Sequence, residues 1–341
     1  MNNNNNNNYF YDDILSELLD SAGFELSGFE NTEALTEIQF SDLTDTVLTE
    51  LKTQIHAPLQ TLSLLTGIIL LSALAGSLKG EKSSVSQICD ITAVLCAAGT
   101  VIVPIAELFR NCTAILEQTA DFMAAFSGIF GGILAVSGHL TASAGYQGAM
   151  LVLCNIALEI AVRFLFPFLM AGIAAGLTDS VSPEVSLSGI LKFIQKVTVW
   201  VLGFLMSLFL GFLSFQSVIS VSADRAGTKA AKYAISGFVP FIGGAVSEAY
   251  TAVLGSMNAL KAAAGMTGVI AVLLLLFPVI TELFLYKMLM ALASGMAELF
   301  GLEQLSKLFR NTESVLAIGF SVSVSFGVMF ITGTGLLAAI S

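Results

Sequence analysis

Residues 266–292 read MTGVIAVLLLLFPVITELFLYKMLMAL, a long apolar stretch interrupted by two charges, Glu282 and Lys287. A helix rises 1.5 Å per residue, so this stretch reaches about 40 Å. That exceeds the roughly 30 Å of a bilayer's hydrocarbon core. Working outward, similar runs occur at about Pro58–Leu78, Ile88–Leu108, Phe122–Leu140, Gly148–Leu177, Ile190–Val221 and Ser314–Ile340. The chain of 341 residues is 55% hydrophobic and 11% charged, with a mean hydropathy of +0.85. Soluble domains carry about 25% charged residues, and so little polar surface could not cover a globule of this size. The expected fold is therefore an all-α, polytopic transmembrane helical bundle of about seven spans, with the lipid bilayer as its solvent.

One segment breaks the pattern. Residues 224–265 read DRAGTKAAKYAISGFVPFIGGAVSEAYTAVLGSMNALKAAAG. A basic helical stripe of Arg225, Lys229 and Lys232 leads into a Gly/Pro turn at Gly237, Pro240, Gly243 and Gly244. A small-residue helix carrying Glu248 follows. Non-helical backbone at membrane depth is tolerated only when buried in protein or lining a watery cavity. The segment is expected to form a re-entrant or interfacial helical hairpin, and its turn is a candidate contact or conduit element. An ordinary interfacial helix–turn–helix is the alternative, and a full eighth span at Phe238–Leu260 is another.

The organisation that follows has five parts. Residues 1–8 are an Asn homopolymer with no reason to fold. Residues 9–54 form an acidic amphipathic arm, residues 55–222 hold spans one to five, residues 223–265 hold the hairpin, and residues 266–341 hold spans six and seven with an amphipathic connector. The formal net charge of −11 resides in the arm. Eleven acids lie between Asp12 and Glu50, and no Lys or Arg precedes Lys52. Beyond the arm acids and bases balance, and no basic cluster suits nucleic acid. Between the second and third expected spans, Arg110–Asp121 reads as a polar helical connector. Pro167 marks a kink in the fourth span.

Chemistry-bearing residues are sparse. Glu159 and Arg163 stand four apart in the fourth span, an order and spacing suited to an intrahelical ion pair. In hydrocarbon they should pair or face a polar interior, as a structural pair or as the lining of a polar path. Glu282 in the sixth span is a candidate cross-helix partner of Arg163. The cysteines (Cys89, Cys96, Cys112, Cys154) have no metal-like spacing and read as small apolar residues. His56 and His139 stand alone. No catalytic or phosphate-binding motif is present, so no enzyme activity, cofactor or metal is expected.

A weak internal repeat accompanies these features. Phe166-Pro167 and Phe277-Pro278 each sit inside a span, and Leu108-Phe109-Arg110-Asn111 recurs as Leu308-Phe309-Arg310-Asn311. Such symmetry occurs in transporters, which makes a stand-alone secondary transporter or permease for a small solute the alternative function.

The run Thr228-Lys229-Ala230-Ala231-Lys232-Tyr233, then Gly237-Phe238-Val239-Pro240-Phe241-Ile242-Gly243-Gly244 and Ser247-Glu248-Ala249, resembles the central signature of the stage III sporulation protein AE family. The resemblance continues through the spans from about Leu43 to the carboxyl end. It implies a multi-pass protein of an endospore-forming bacterium, in the mother-cell membrane surrounding the forespore. The implied partners are other stage III sporulation membrane proteins of the same operon, including ring-forming subunits and an ATPase, and a forespore membrane channel partner. Together they would form a secretion-like channel, or feeding tube, required for forespore development.

Overall fold

The computed structural model describes residues 52, 54–77, 84–136, 140–181, 187–238 and 243–338. The Asn run, the acidic arm as far as residue 51, His139 and Pro240 lie outside them. Among the described residues there is no strand. The helices are α1 (His56–Ser77), α2 (Ser84–Val136), α3 (Leu140–Ile160), α4 (Phe166–Val181), α5 (Ser188–Phe238), α6 (Gly243–Leu299) and α7 (Glu303–Ala338), with a π-helical turn at Ala161–Leu165 joining α3 to α4.

Among the described residues, six stretches are long and apolar enough to cross a membrane: His56–Ser77, Ile88–Ala135, Ser143–Val181, Ser188–Phe215, Gly265–Leu299 and Glu303–Thr334. Seven spans are not confirmed, because the expected second and third spans and their connector form the single helix α2. The cause is local. Arg110–Asp121 contains neither Gly nor Pro, and its residues favour helix well enough to carry the backbone through. Pro104 lies inside α2 without ending it.

The separate hairpin is not seen either. The basic stripe is the continuation of α5, and the small-residue segment is the opening of α6. The helices run without a break past 222/223 and past 265/266, the second in spite of Gly265. Gly237 falls in the last turn of α5, and Gly243 and Gly244 open α6.

The kink expected at Pro167 takes the form of the π turn. Proline has no N–H and its ring crowds the carbonyl four residues back, here that of Arg163. Widening the preceding turn relieves this, and the Phe166 N–H donates to the Ala161 carbonyl five residues back. Between α6 and α7 the chain reverses in three residues. Gly301 adopts φ 70°, its N–H donates to Glu298 O (3.0 Å), and the Leu302 N–H donates to Ala297 O (2.9 Å). This is a Schellman ending, in which a residue without Cβ takes the left-handed position.

The core is a continuous aliphatic and aromatic cluster that includes Phe126, Phe130, Phe309, Phe326 and Phe330. α6 and α7 form its most extensive helix pair. Phe109 of α2 fixes the height of α2 against its neighbours. Its ring meets Phe166 edge-on at 5.6 Å and lies over Gly319, where a Cβ would come within 3.0 Å of it. Leu283 borders the same spot. Gly319 and Leu283 lie near the middle of the stretches Glu303–Thr334 and Gly265–Leu299. The centre of α2 therefore crosses the bundle at mid-height.

Several buried hydroxyls are met locally. Thr61, Thr119, Thr312 and Thr334 each donate to the carbonyl four residues back, which is how a helix satisfies them where water is scarce.

Candidate functional site

Two outward faces of the bundle differ in chemistry. On α5, Phe193, Val199, Trp200, Phe204, Leu208 and Phe215 are all exposed. On α2, no large apolar side chain after Val103 is exposed among the described residues. Its exposed positions after Val103 include Glu107, Arg110, Ala114, Glu117, Asp121, Ala125, Gly128 and Gly132, spaced three or four apart along one stripe, with Asn111 beside it. Lipid can cover the first face. The second suits lipid less well, since each charge held at mid-bilayer would cost about 2.5–3.5 kcal/mol on insertion scales. The sequence reading had set Arg110–Asp121 outside the bundle, so this stripe went unnoticed there.

The Glu159–Arg163 pair forms as its spacing suggested. It does not face inward, because the side chains are 55% and 72% exposed respectively. Glu159 closes α3 and Arg163 sits in the π turn. α3 runs back along α2, with Ser143 Oγ donating to Gly131 O at 2.7 Å and Gln147 Nε2 to Gly128 O at 3.5 Å. An antiparallel pairing from that anchor puts Glu159 and Arg163 level with roughly residues 111–115 of α2. Charge from two adjacent helices thus gathers at one height.

Glu282 is half-buried on α6. It is not the partner of Arg163, which Glu159 occupies. Instead it lies within electrostatic reach of Cys112 of α2 and Tyr286, and the Tyr286 hydroxyl shares a hydrogen bond with Thr61 of α1. Arg225, Lys229 and Lys232 fall within α5, and Glu248 falls in the second turn of α6.

Sequence reasoning also missed a polar node at one end of the bundle. The Asp179 side chain, in the last turn of α4, is fully buried. It accepts from Lys307 Nζ at 2.9 Å, from the Leu187 N–H at 2.7 Å and from Asn311 Nδ2 at 3.4 Å. Lys307 also donates to the Asp179 carbonyl at 2.8 Å, and Asn311 to Gly176 O at 3.3 Å. A cation thereby meets the carbonyl end of α4, and an anion the amide end of α5, as the helix dipoles favour. Beside it, Arg310 pairs with Glu298 across the Gly301 turn, and Ser306 Oγ donates to Glu298 at 3.1 Å. Each charge here has its partner, so the arrangement ties α4, α5 and α7 together rather than offering a reactive group. No sequence signal joins positions 179 and 307; only their contact does.

Among the described residues no group of three His, Cys, Asp or Glu side chains could hold a metal ion. The four cysteines are unpaired, with Cys112 and Cys154 buried.

The family model described as stage III sporulation protein AE matches residues 29–339. A curated relative, "Stage III sporulation protein AE" of Bacillus subtilis (strain 168), is 22% identical over 184 residues. That match covers 53% of this chain and 46% of the relative, so the chain spans about half the length of the relative it matches. No solved structure matches. With six apolar helices of spanning length among the described residues and a family match over nearly the whole sequence, this multi-pass membrane protein belongs to the stage III sporulation protein AE family.

Proposed function

We propose that the chain is an integral membrane component of a channel complex joining mother cell and forespore, and that it supports forespore development as an assembly or conduit element without enzymatic activity. The observation that carries this reading is the family match over residues 29–339. Its seat is the mother-cell membrane around the forespore. Its partners are the other stage III sporulation membrane proteins, including ring-forming subunits and an ATPase, and a channel protein of the forespore membrane.

Within that complex, the turn Gly237, Pro240, Gly243 and Gly244, with Glu248 and the stripe Arg225, Lys229 and Lys232, is a contact element. Three cations on one helical side suit an acidic partner surface. The test is crosslinking followed by affinity purification from sporulating cells. Recovery of sporulation membrane proteins supports the reading, and their absence from the eluate refutes it. Substituting Pro240 and Gly243 tests the turn. Spore yield equal to wild type would reduce it to packing.

A further inference from the structure

Three carboxyls within spanning stretches differ in what answers them. Glu159 has Arg163, and the buried Asp179 has Lys307, Asn311 and the Leu187 N–H. Glu282 makes no hydrogen bond or ion pair among the described residues. It stands at the midpoint of the stretch Gly265–Leu299, next to Leu283, which marks mid-height together with Gly319 and Phe109. Cys112 stands about one turn from Phe109 and Ser323 about one turn from Gly319, so groups from α2, α6 and α7 converge at this level. Cys112 is within electrostatic reach of Glu282. Ser323, fully buried, abuts Cys112 with its hydroxyl otherwise unpartnered. One turn along α6, the hydroxyl of the buried Tyr286 meets Thr61 of α1, and both Glu282 and the exposed Glu107 of α2 act on it. Among the described residues no Lys, Arg or His from α1, α2 or α7 pairs with Glu282. Lys287, five positions on, falls on another side of α6.

An ionised side chain at mid-bilayer costs about 2.5–3.5 kcal/mol on insertion scales, and an unpaired buried charge is relieved by neutralisation. A metal cation or a proton could supply it. A sodium ion needs several oxygen ligands, which membrane proteins provide from unwound backbone. α6 is unbroken through Glu282, so its carbonyls are engaged within the helix. The side chains around the carboxyl add only the Cys112 thiol and the Ser323 and Tyr286 hydroxyls, too few for such a shell. A proton needs one lone pair. We propose that Glu282 is a proton-binding site at the centre of the membrane, with Cys112, Ser323 and Tyr286 as its polar surround, and that its proton exchanges with water. With the proton bound, the carboxyl is a neutral hydrogen-bond donor among α2, α6 and α7. Release leaves a charge that these helices do not answer, so they must admit water to it. The half-buried setting also leaves the group open to a small apolar reagent dissolved in the bilayer. The inference goes beyond the channel reading and rests on the place of Glu282 in the membrane, not on the chain's partners.

Dicyclohexylcarbodiimide, an apolar reagent that enters the bilayer, tests this on the full chain in membranes. It adds to a protonated carboxyl. The acid proton passes to a carbodiimide nitrogen, the carboxyl oxygen bonds the central carbon, and the adduct rearranges to an N-acylurea with no leaving group. Peptide mass spectrometry of the unaltered protein should find the label on Glu282 about ten-fold above Glu159, whose charge Arg163 answers. Raising the pH should abolish the labelling, and excess sodium at constant pH should not. In the infrared, Glu282→Gln should remove one carboxylic-acid carbonyl band, and that band should shift when the unaltered protein is moved to heavy water. A Glu282 peptide that stays unlabelled, labelling equal at Glu159, or labelling indifferent to pH overturns the proposal. So does protection by sodium, which would make the position a metal-ion site. A band that heavy water leaves in place also overturns it, since the acid would then be a sealed structural group. If Glu282→Gln does not fold, the labelling of the unaltered chain decides. Loss of sporulation partners in the purification refutes the channel reading alone, and an unlabelled Glu282 refutes only this inference.

Discussion

The outward faces of α2 and α5 belong to helices of nearly equal length in one bundle, yet they ask for different surroundings. α5 presents Phe204, Leu208 and Trp200, which lose nothing against acyl chains. α2 presents Glu107, Arg110, Glu117 and Asp121, which lose hydration there. A helix can thus be apolar enough on average to span a membrane while one side of it is unsuited to lipid, because its burial of Phe109, Cys112, Phe122 and Phe126 raises the average from the other side.

The strongest way to break this comparison is to exchange the two chemistries. Phe204→Arg should cost about 3 kcal/mol of insertion free energy and deplete the protein from the membrane fraction. Ala114→Arg should leave that fraction near wild type. Equal depletion by both, read by quantitative immunoblot, would erase the distinction between the faces.

A second prediction concerns charge held inside. Lys307→Met leaves the buried Asp179 carboxylate without its cation and should destabilise the bundle by about 2 kcal/mol. That is less than for a fully buried pair because Lys307 is 42% exposed and water reaches it. Pairing Lys307→Met with Asp179→Asn should recover most of the loss in a thermal melt in detergent. No recovery would mean that the ion pair is not what joins α4 to α7.

A third concerns the glycines. Gly268→Ala places a methyl 2.5 Å from the buried Phe126 ring and should cost about 1–2 kcal/mol. Gly128→Ala, in open space, should leave the melting temperature unchanged. Equal shifts would deny that the two glycines do different jobs.

The smallest effect is spectroscopic. Trp200 is the molecule's single tryptophan, 69% exposed and stacked on Phe204 at 5.8 Å. Its fluorescence should be quenched by lipids brominated in the acyl chain more than by aqueous iodide. The reverse order would take lipid off the α5 face.

Much of this was legible in the residues. Apolar runs of spanning length made the class of fold readable, and the i, i+4 spacing of Glu159 and Arg163 made their pairing readable. Both are local properties of a helix. The seven-span count is not confirmed at Arg110–Asp121, a polar stretch that contains no residue that stops a helix and continues as part of α2. The hairpin is not confirmed: its turn lies outside the described residues, and the helices on either side of it run on past 222 and 265.

The sequence by itself determined a helical membrane protein, the short-range ion pair and the family to which the chain belongs. Only the tertiary structure decided which side of α2 is buried, that Glu159 and Arg163 face outward, that Glu282 does not meet Arg163, and that Asp179 finds Lys307. The reason is physical. Helix formation and hydropathy depend on neighbours a few positions along the chain, whereas the surroundings of a face depend on which helices pack against its opposite side.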